Sequence, residues 1–115
     1  MNRSWIAALA AALSLGAQAQ APAGDVARGK TAYMKNMCYT CHGTAGQGGD
    51  RGSGPRIAYD VWPWEAFAQQ TRRPRDVMPR YPAEHLSDAD LADIYAYVSS
   101  IKSGVKAKDI PLLSQ

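Results

Sequence analysis

The chain has 115 residues, a formal net charge of +3 and only two cysteines. That length allows one small domain, and the weak positive charge, spread without a long basic run, argues against nucleic-acid binding. Two cysteines cannot form a multiple-disulfide scaffold, so a domain of this size needs another source of stability, such as a large apolar cofactor in its core.

The N-terminal segment has the pattern of a secretory signal peptide. Arg3 supplies positive charge, residues 5–15 are almost entirely apolar, and residues 17–19 have the small-x-small pattern of a signal-peptidase site. We expect cleavage after Ala19, which leaves residues 20–115 as an exported, periplasmic domain with no transmembrane segment. An uncleaved membrane anchor is the alternative, but the apolar run is too short for a spanning helix, which needs roughly 20 residues.

Periodic apolar residues predict three helices separated by loops, and no strand. The first helix extends from about Asp25 to Asn36, with Asp25 as its N-cap. Gly29 lies inside this helix, where glycine costs about 1 kcal/mol relative to alanine. A second helix that crosses closely at this point would explain the glycine, because a side chain there would block the crossing.

A glycine-rich loop, a short helix and a longer helix follow. The loop, residues 43–54, lacks the lysine ending and the preceding strand of a phosphate-binding loop, and we expect it to be a surface loop. The short helix is predicted over residues 63–71. Ser87 followed by Asp90 predicts the start of the last helix, and Gly104 predicts its end. The apolar stripe of that helix consists of Leu91, Ile94, Tyr95, Val98 and Ile101.

The most informative motif is Cys38-Tyr39-Thr40-Cys41-His42. Two cysteines three residues apart and followed by histidine form the attachment signature for c-type haem. The two thiols add to the two vinyl groups of the porphyrin, and the turn between them sets the separation of the sulfurs. His42 can then bind the iron as the proximal ligand. The motif therefore predicts one covalently bound haem c.

Three other interpretations of these cysteines remain open from the residues alone. A thioredoxin-like redox pair would require a βαβ context, which the helical pattern does not provide. A structural disulfide is compatible with an exported protein but leaves His42 unexplained. A zinc site would require four ligands, and the histidines and cysteines of the chain are Cys38, Cys41, His42 and His85.

The sixth iron position needs its own candidate, and Met78 is the preferred one. It lies well after His42 and is followed by Pro79, which would stiffen the loop that carries the sulfur. A lone methionine usually packs in a core, but the polar neighbours of Met78 make this segment unsuitable for a core. His85 is the alternative ligand and would give a bis-histidine haem.

With these residues, the chain resembles the class I monohaem c-type cytochromes along nearly all of its mature sequence. The resemblance implies an all-α cytochrome c fold, with three or more helices and loops around one covalent haem. Pro55 is similar to the family's proline whose carbonyl accepts the proximal histidine's Nδ1–H, and residues 78–81 resemble the distal methionine loop. The resemblance also implies that Ile94 and Tyr97 pack across the first helix near Gly29.

The resemblance implies an electron carrier and not an enzyme. Cys38 and Cys41 would hold the haem, and His42 and Met78 would fill both axial positions of the iron. We expect docking on redox proteins (a periplasmic dehydrogenase, oxidase or reductase) through the arginine-rich residues 51–80. A dedicated cytochrome subunit of a periplasmic dehydrogenase complex is the alternative, and a peroxidase or gas sensor would need a vacant or labile sixth position. By residue type, the candidates for holding the haem propionates are Tyr59, Trp62, Trp64, Arg56, Arg72 and Arg73.

Overall fold

The computed structural model describes residues 20–49 and 53–113, and within these ranges the chain is helical and contains no strand. The prediction of an all-α domain is therefore confirmed for the part of the chain that is described. The predicted signal peptide, residues 1–19, lies outside the described residues. Among the helices that the structure describes, none is both long and apolar enough to cross a membrane.

The helices follow the order that the sequence predicts, with one addition. They are α1 (Val26–Lys35), α2 (Tyr39–His42), α3 (Trp64–Arg72) and α4 (Asp88–Ser100), followed by 3₁₀ turns at Ala107–Asp109 and Pro111–Leu113. The three predicted helices correspond to α1, α3 and α4. The sequence pattern does not predict α2, because a single helical turn is too short to show apolar periodicity.

The first and last helices begin at the capping residues that the sequence indicates. The Asp25 carboxylate accepts a hydrogen bond of 2.7 Å from the Arg28 N–H at the start of α1. The Ser87 hydroxyl accepts one of 3.1 Å from the Asp90 N–H at the start of α4. Each cap satisfies an N–H group that has no partner within its own helix, and each contributes about 1 kcal/mol.

The end of α4 differs from the prediction. The helix ends at Ser100, so Gly104 is not its stop, and that prediction is wrong. Ile101 takes an extended backbone conformation, and its side chain packs against the core. The helix therefore ends where Ile101 becomes extended and packs against the core, three residues before the predicted stop at Gly104.

Two glycines, one within α1 and one before it, lie against the backbone of α4. A Cβ atom on Gly29 would collide with the carbonyl of Asp93 and lie 2.9 Å from the Cβ atom of Tyr97. The expected crossing at Gly29 is therefore confirmed, and Tyr97 lies there as the resemblance implies. A Cβ atom on Gly24 would collide in the same way with the carbonyl of Ala92.

The core lies between α1, α4 and the residues that lead into them. Tyr95, which the sequence places in the apolar stripe, is only half-buried and packs edge-on against two rings of α3. Its ring centroid lies 5.4 Å from that of Trp64 and 5.2 Å from that of Phe67, so this cluster sets α3 against α4. The largest fully buried side chains are Tyr33, Leu86, Leu91 and Val98.

An ion pair joins α1 to α4 beside the glycine crossing. Asp93 is only 5% exposed, and its carboxylate accepts hydrogen bonds from Arg28 Nε at 2.7 Å and Arg28 Nη2 at 3.0 Å. The N–H of Asp25 donates to the same carboxylate at 2.6 Å. The hydrogen bond from the Arg28 side chain and, to a smaller extent, that from the Asp25 N–H hold the pKa of Asp93 below its usual range. The sequence shows Asp93 in an acidic stretch without a basic neighbour, and its partner comes from the other end of the domain.

Candidate functional site

The turn between α1 and α2 fixes the first cysteine. Helix α1 ends in a Schellman motif, in which the Met37 N–H donates to the Met34 carbonyl at 3.1 Å. In the same motif the Cys38 N–H donates to the Tyr33 carbonyl at 3.1 Å. Met37 takes the left-handed conformation (φ 59°) that glycine usually occupies at this position. The backbone of Cys38 is therefore held by the end of α1.

Helix α2 is one turn that carries Cys41 and His42, and Cys38 is its N-cap residue. The His42 N–H donates to the Cys38 carbonyl at 3.0 Å, and residues three apart on such a turn share one face. Both thiols are free and half-buried, and burial raises the pKa of Cys38 to about 11. A raised pKa favours the neutral thiol of Cys38, and no disulfide joins the two cysteines.

His42 is oriented by a backbone carbonyl. Its Nδ1 lies 2.7 Å from the carbonyl oxygen of Pro55. A carbonyl oxygen can only accept, so Nδ1 carries the proton and donates it to this bond. The other nitrogen, Nε2, then has a free lone pair that can bind a metal. This is the contact that the resemblance implies for Pro55.

The glycine-rich loop passes directly behind the attachment turn. A Cβ atom on either Gly49 or Gly54 would collide with the carbonyl of Cys41. The Gly49 N–H also donates to the Gly54 carbonyl at 3.1 Å, which draws the two sides of the loop together. The absence of side chains here lets the loop bring Pro55 beside His42. The sequence indicates a surface loop, and only the density of glycines after the motif signals this close approach.

Two tyrosines from the helix crossing hold the segment that follows the histidine. The Tyr33 hydroxyl donates to the Gly43 carbonyl at 2.7 Å, and the Tyr97 hydroxyl donates to the Thr44 carbonyl at 2.8 Å. Their rings meet edge-on with centroids 5.4 Å apart, and burial raises the pKa of both. A buried tyrosine needs a partner for its hydroxyl, but the sequence does not reveal which carbonyl supplies it.

Met78 lies in the loop between α3 and α4. Its side chain is half-buried, and Gln70 Nε2 of α3 donates a hydrogen bond to its Sδ at 3.8 Å. Asp76 takes a left-handed conformation (φ 58°) two residues earlier, where the chain turns. The Tyr81 N–H donates to the Thr71 carbonyl at 3.1 Å and closes the base of this methionine loop, residues 73–81.

Tyr81 also connects the methionine loop to the attachment turn. Its hydroxyl donates to the carbonyl of Asn36 at 3.0 Å, two residues before Cys38. The pKa of Tyr81 is raised by burial and, to a smaller extent, by the nearby Cys38 and Cys41. The structure therefore brings Cys38, Cys41, His42 and Pro55 together in one unit and joins the loop of Met78 to it.

His85 lies in a different environment. It is exposed and lines a shallow groove with Thr31, Lys35 and Asp90, on the side of α1. Within the described ranges, no three histidine, cysteine, aspartate or glutamate side chains are grouped closely enough to hold a metal ion. The four residues that a zinc site would require are therefore not assembled as ligands.

The residues present fit a covalent haem by their chemistry. They offer two free thiols one turn apart, an imidazole with a free Nε2, and a thioether on a neighbouring loop. Partly buried apolar side chains from several segments of the chain also pack against the core and keep some exposed surface. Among them are Ile57, Trp64, Phe67, Ala68 and Tyr81.

Three comparisons relate this arrangement to known proteins. Residues 24–98, more than half of the chain, match the family model described as cytochrome c oxidase, cbb3-type, subunit III. Cytochrome cL from Hyphomicrobium denitrificans is similar in structure, with a TM-score of 0.53 and 20% identity over 68% of this chain and 48% of that one. Cytochrome cL from the marine methylotrophic bacterium Methylophaga aminisulfidivorans gives a TM-score of 0.52 and 22% identity over 67% of this chain and 53% of that one.

The chain spans about half the length of each of these two structures, and at such identities the likeness shows the fold alone. No protein of curated function matches the chain by sequence. The family match and the fold confirm the predictions of a cytochrome c fold and of one covalent haem c. The chain is a haem c protein, and it belongs to the c-type cytochrome family described as cytochrome c oxidase, cbb3-type, subunit III.

Proposed function

We propose that this protein is a periplasmic electron carrier whose haem iron is bound by His42 and Met78. Cys38 and Cys41 would attach the haem through thioether bonds. The observation that carries the proposal is the hydrogen bond from His42 Nδ1 to the Pro55 carbonyl at 2.7 Å, because it leaves only Nε2 to bind a metal. When bound, haem c supplies one iron that changes between the ferrous and ferric states.

The residues of the chain would hold, orient and shield that iron. The Pro55 carbonyl fixes the plane of the His42 ring and makes its Nε2 more basic. The sulfur of Met78 would favour the ferrous form relative to a second histidine. If His42 and Met78 both bound the iron, no coordination site would remain for a substrate, which favours a carrier over an enzyme.

Export is part of the proposal and rests on the sequence pattern of residues 1–19. Cleavage after Ala19 would leave residues 20–115 as the cytochrome c domain. N-terminal sequencing of the haem-containing protein recovered from a periplasmic fraction tests this, and we expect Gln20 as the first residue. A protein that still begins at Met1, or that sediments with membranes, would contradict cleavage.

The electrostatic surface of the methionine loop supports docking on acidic patches of redox partners. Arg73, Arg75 and Arg80 are exposed on or beside the loop that carries Met78. If the electron leaves the haem beside this loop, positive charge there would speed encounter with negatively charged partners, and salt would weaken this effect.

Trp62 favours the second candidate, a dedicated cytochrome subunit of a periplasmic dehydrogenase complex. Its side chain is 59% exposed, and exposed indoles are enriched at stable protein interfaces. Gel filtration of native extract separates the two candidates, since a free carrier elutes at the size of a small monomer and a subunit co-elutes with the dehydrogenase.

An absorption spectrum of the protein, exported in a host that matures c-type cytochromes, tests the iron ligands. We expect covalent haem and, in the ferric protein, a long-wavelength sulfur-to-iron charge-transfer band. Met78→Ala should lose this band, and the matched control His85→Ala should keep it. A high-spin wild-type spectrum, or a band that survives in Met78→Ala, would contradict ligation by Met78, and a colourless protein would contradict haem binding.

A further inference from the structure

Arg72 does not share the exposed setting of the arginines that follow it. Its side chain is 21% exposed, and Nη1 donates to the Tyr81 carbonyl at 2.8 Å and to the Leu86 carbonyl at 2.7 Å. Nη2 donates to the Asp88 carboxylate at 2.6 Å. These three hydrogen bonds occupy both terminal nitrogens of the guanidinium. Arg72 is therefore no longer a candidate for binding haem propionates or for docking.

The three acceptors of Arg72 come from separate parts of the chain. Tyr81 ends the methionine loop, Leu86 precedes the cap of α4, and Asp88 is the first residue of α4. Arg72 itself is the last residue of α3. One guanidinium therefore connects the helix before Met78 to the chain on the other side of that loop and to the next helix.

The chemistry of this position favours arginine over any other residue. A planar guanidinium presents five N–H donors in a rigid fork, which can serve two carbonyls and a carboxylate at once. A lysine has one nitrogen and cannot span the same acceptors. Leu86 is 1% exposed, so water has little access around its carbonyl to replace the lost donor.

We propose that Arg72 is a positioning residue that keeps the methionine loop closed and thereby keeps Met78 on the iron. The inference rests on the proposed ligation by Met78. Hydrogen bonds from Arg72 and from the Tyr81 N–H fasten both sides of the loop at its base, which leaves few conformations in which the sulfur is withdrawn. An external ligand binds the iron only in the fraction of molecules in which the sulfur has left. Arg72 therefore sets how well the iron resists external ligands.

Imidazole binding to the ferric holoprotein measures this fraction. Arg72→Gln should raise the apparent affinity for imidazole at least about tenfold, since it removes charged hydrogen bonds from the base of the loop. The sulfur-to-iron band should weaken in the same variant. Arg72→Lys keeps the charge without the fork and should give a smaller rise. Arg75→Gln makes the same charge change at an exposed position of the same loop and should leave both readouts unchanged.

The outcomes separate this inference from the proposed iron ligation. Unchanged imidazole affinity in Arg72→Gln, with the band intact, would overturn the role of Arg72 alone. An equal rise in Arg75→Gln would also overturn it, because a general charge effect would then account for the result. If Arg72→Gln does not accumulate as holoprotein, Arg72→Lys decides, and wild-type affinity in that variant counts against the proposal. A wild-type protein without the band contradicts ligation by Met78 before any variant is compared.

Discussion

Replacing Gly29 with alanine should destabilise the holoprotein, although alanine is the better helix former by about 1 kcal/mol. The new Cβ atom would collide with the carbonyl of Asp93 and lie 2.9 Å from the Cβ atom of Tyr97. The carbonyl belongs to the backbone of α4, so no side-chain rotation can relieve the collision. The two helices would have to move apart, which would loosen the core packing around Tyr33 and Leu91.

The size of the effect follows from these opposing terms. Inserting a methyl group into a packed core costs about 1–3 kcal/mol, and the collision with the backbone of α4 places this site at the upper end. After the gain in helix propensity, we expect a net loss of about 2 kcal/mol. For a domain of this size that loss lowers the melting temperature by about 10 °C.

Guanidinium unfolding of the ferric holoprotein, followed by far-UV circular dichroism and by haem absorbance, measures the loss. Gly104→Ala is the matched control, because a Cβ atom at Gly104 has no neighbour within 4 Å. The control should stay within about 0.5 kcal/mol of wild type. A Gly29→Ala protein as stable as the wild type, or as stable as the control, would refute the close crossing as the reason for this glycine.

Three further changes test other parts of the structure. Met37→Gly should stabilise the protein by up to about 1 kcal/mol, because it relieves the strain of a left-handed backbone at an exposed residue. Met37→Val should destabilise the protein, and chemical unfolding that ranks the two variants in the opposite order would be inconsistent with this strain. The pKa of Asp93 is lowered in the folded state, so its stabilising contribution is present above pH 4 or so and is lost as the pH falls through the folded pKa. Asp93→Asn should therefore have a flatter dependence of the unfolding midpoint on acid pH, and parallel curves would contradict the pairing. Arg75→Glu should slow oxidation of the ferrous protein by anionic hexacyanoferrate several-fold at low salt, with the difference disappearing at high salt; equal rates at low salt would argue against docking through this loop.

Features that depend on neighbours in sequence could be predicted from the sequence. Asp25 and Ser87 begin their helices because each side chain caps the N–H group three residues later, which is a local interaction. Gly29 could be predicted because a glycine inside a helix needs a reason. The end of α4 could not be predicted in this way. There Ile101 becomes extended and packs against core residues, some of which come from other segments of the chain.

In the site, too, local features could be predicted from the sequence, and features that depend on distant residues could not. The thiols and His42 form one local motif, and the motif predicts their chemistry. The end of α1 could not be predicted from residue type, because Met37 occupies the position where a glycine would have indicated a helix stop. The partners of Arg72 lie 9, 14 and 16 residues away, and their approach depends on how the methionine loop folds. Residue type alone therefore gives the wrong role for this arginine.

The hydrogen bond from the Asp25 N–H to the Asp93 carboxylate has a consequence for biogenesis, because it joins residues that are 68 positions apart. Contacts between such distant positions form late and slow the acquisition of structure. While the polypeptide emerges from N- to C-terminus, α1 remains without its packing partner until α4 has been synthesised. If the chain is exported as proposed, we expect Cys38 and Cys41 to stay accessible to the haem-attachment machinery throughout most of translocation. The arrival of α4 would then enclose the attached cofactor.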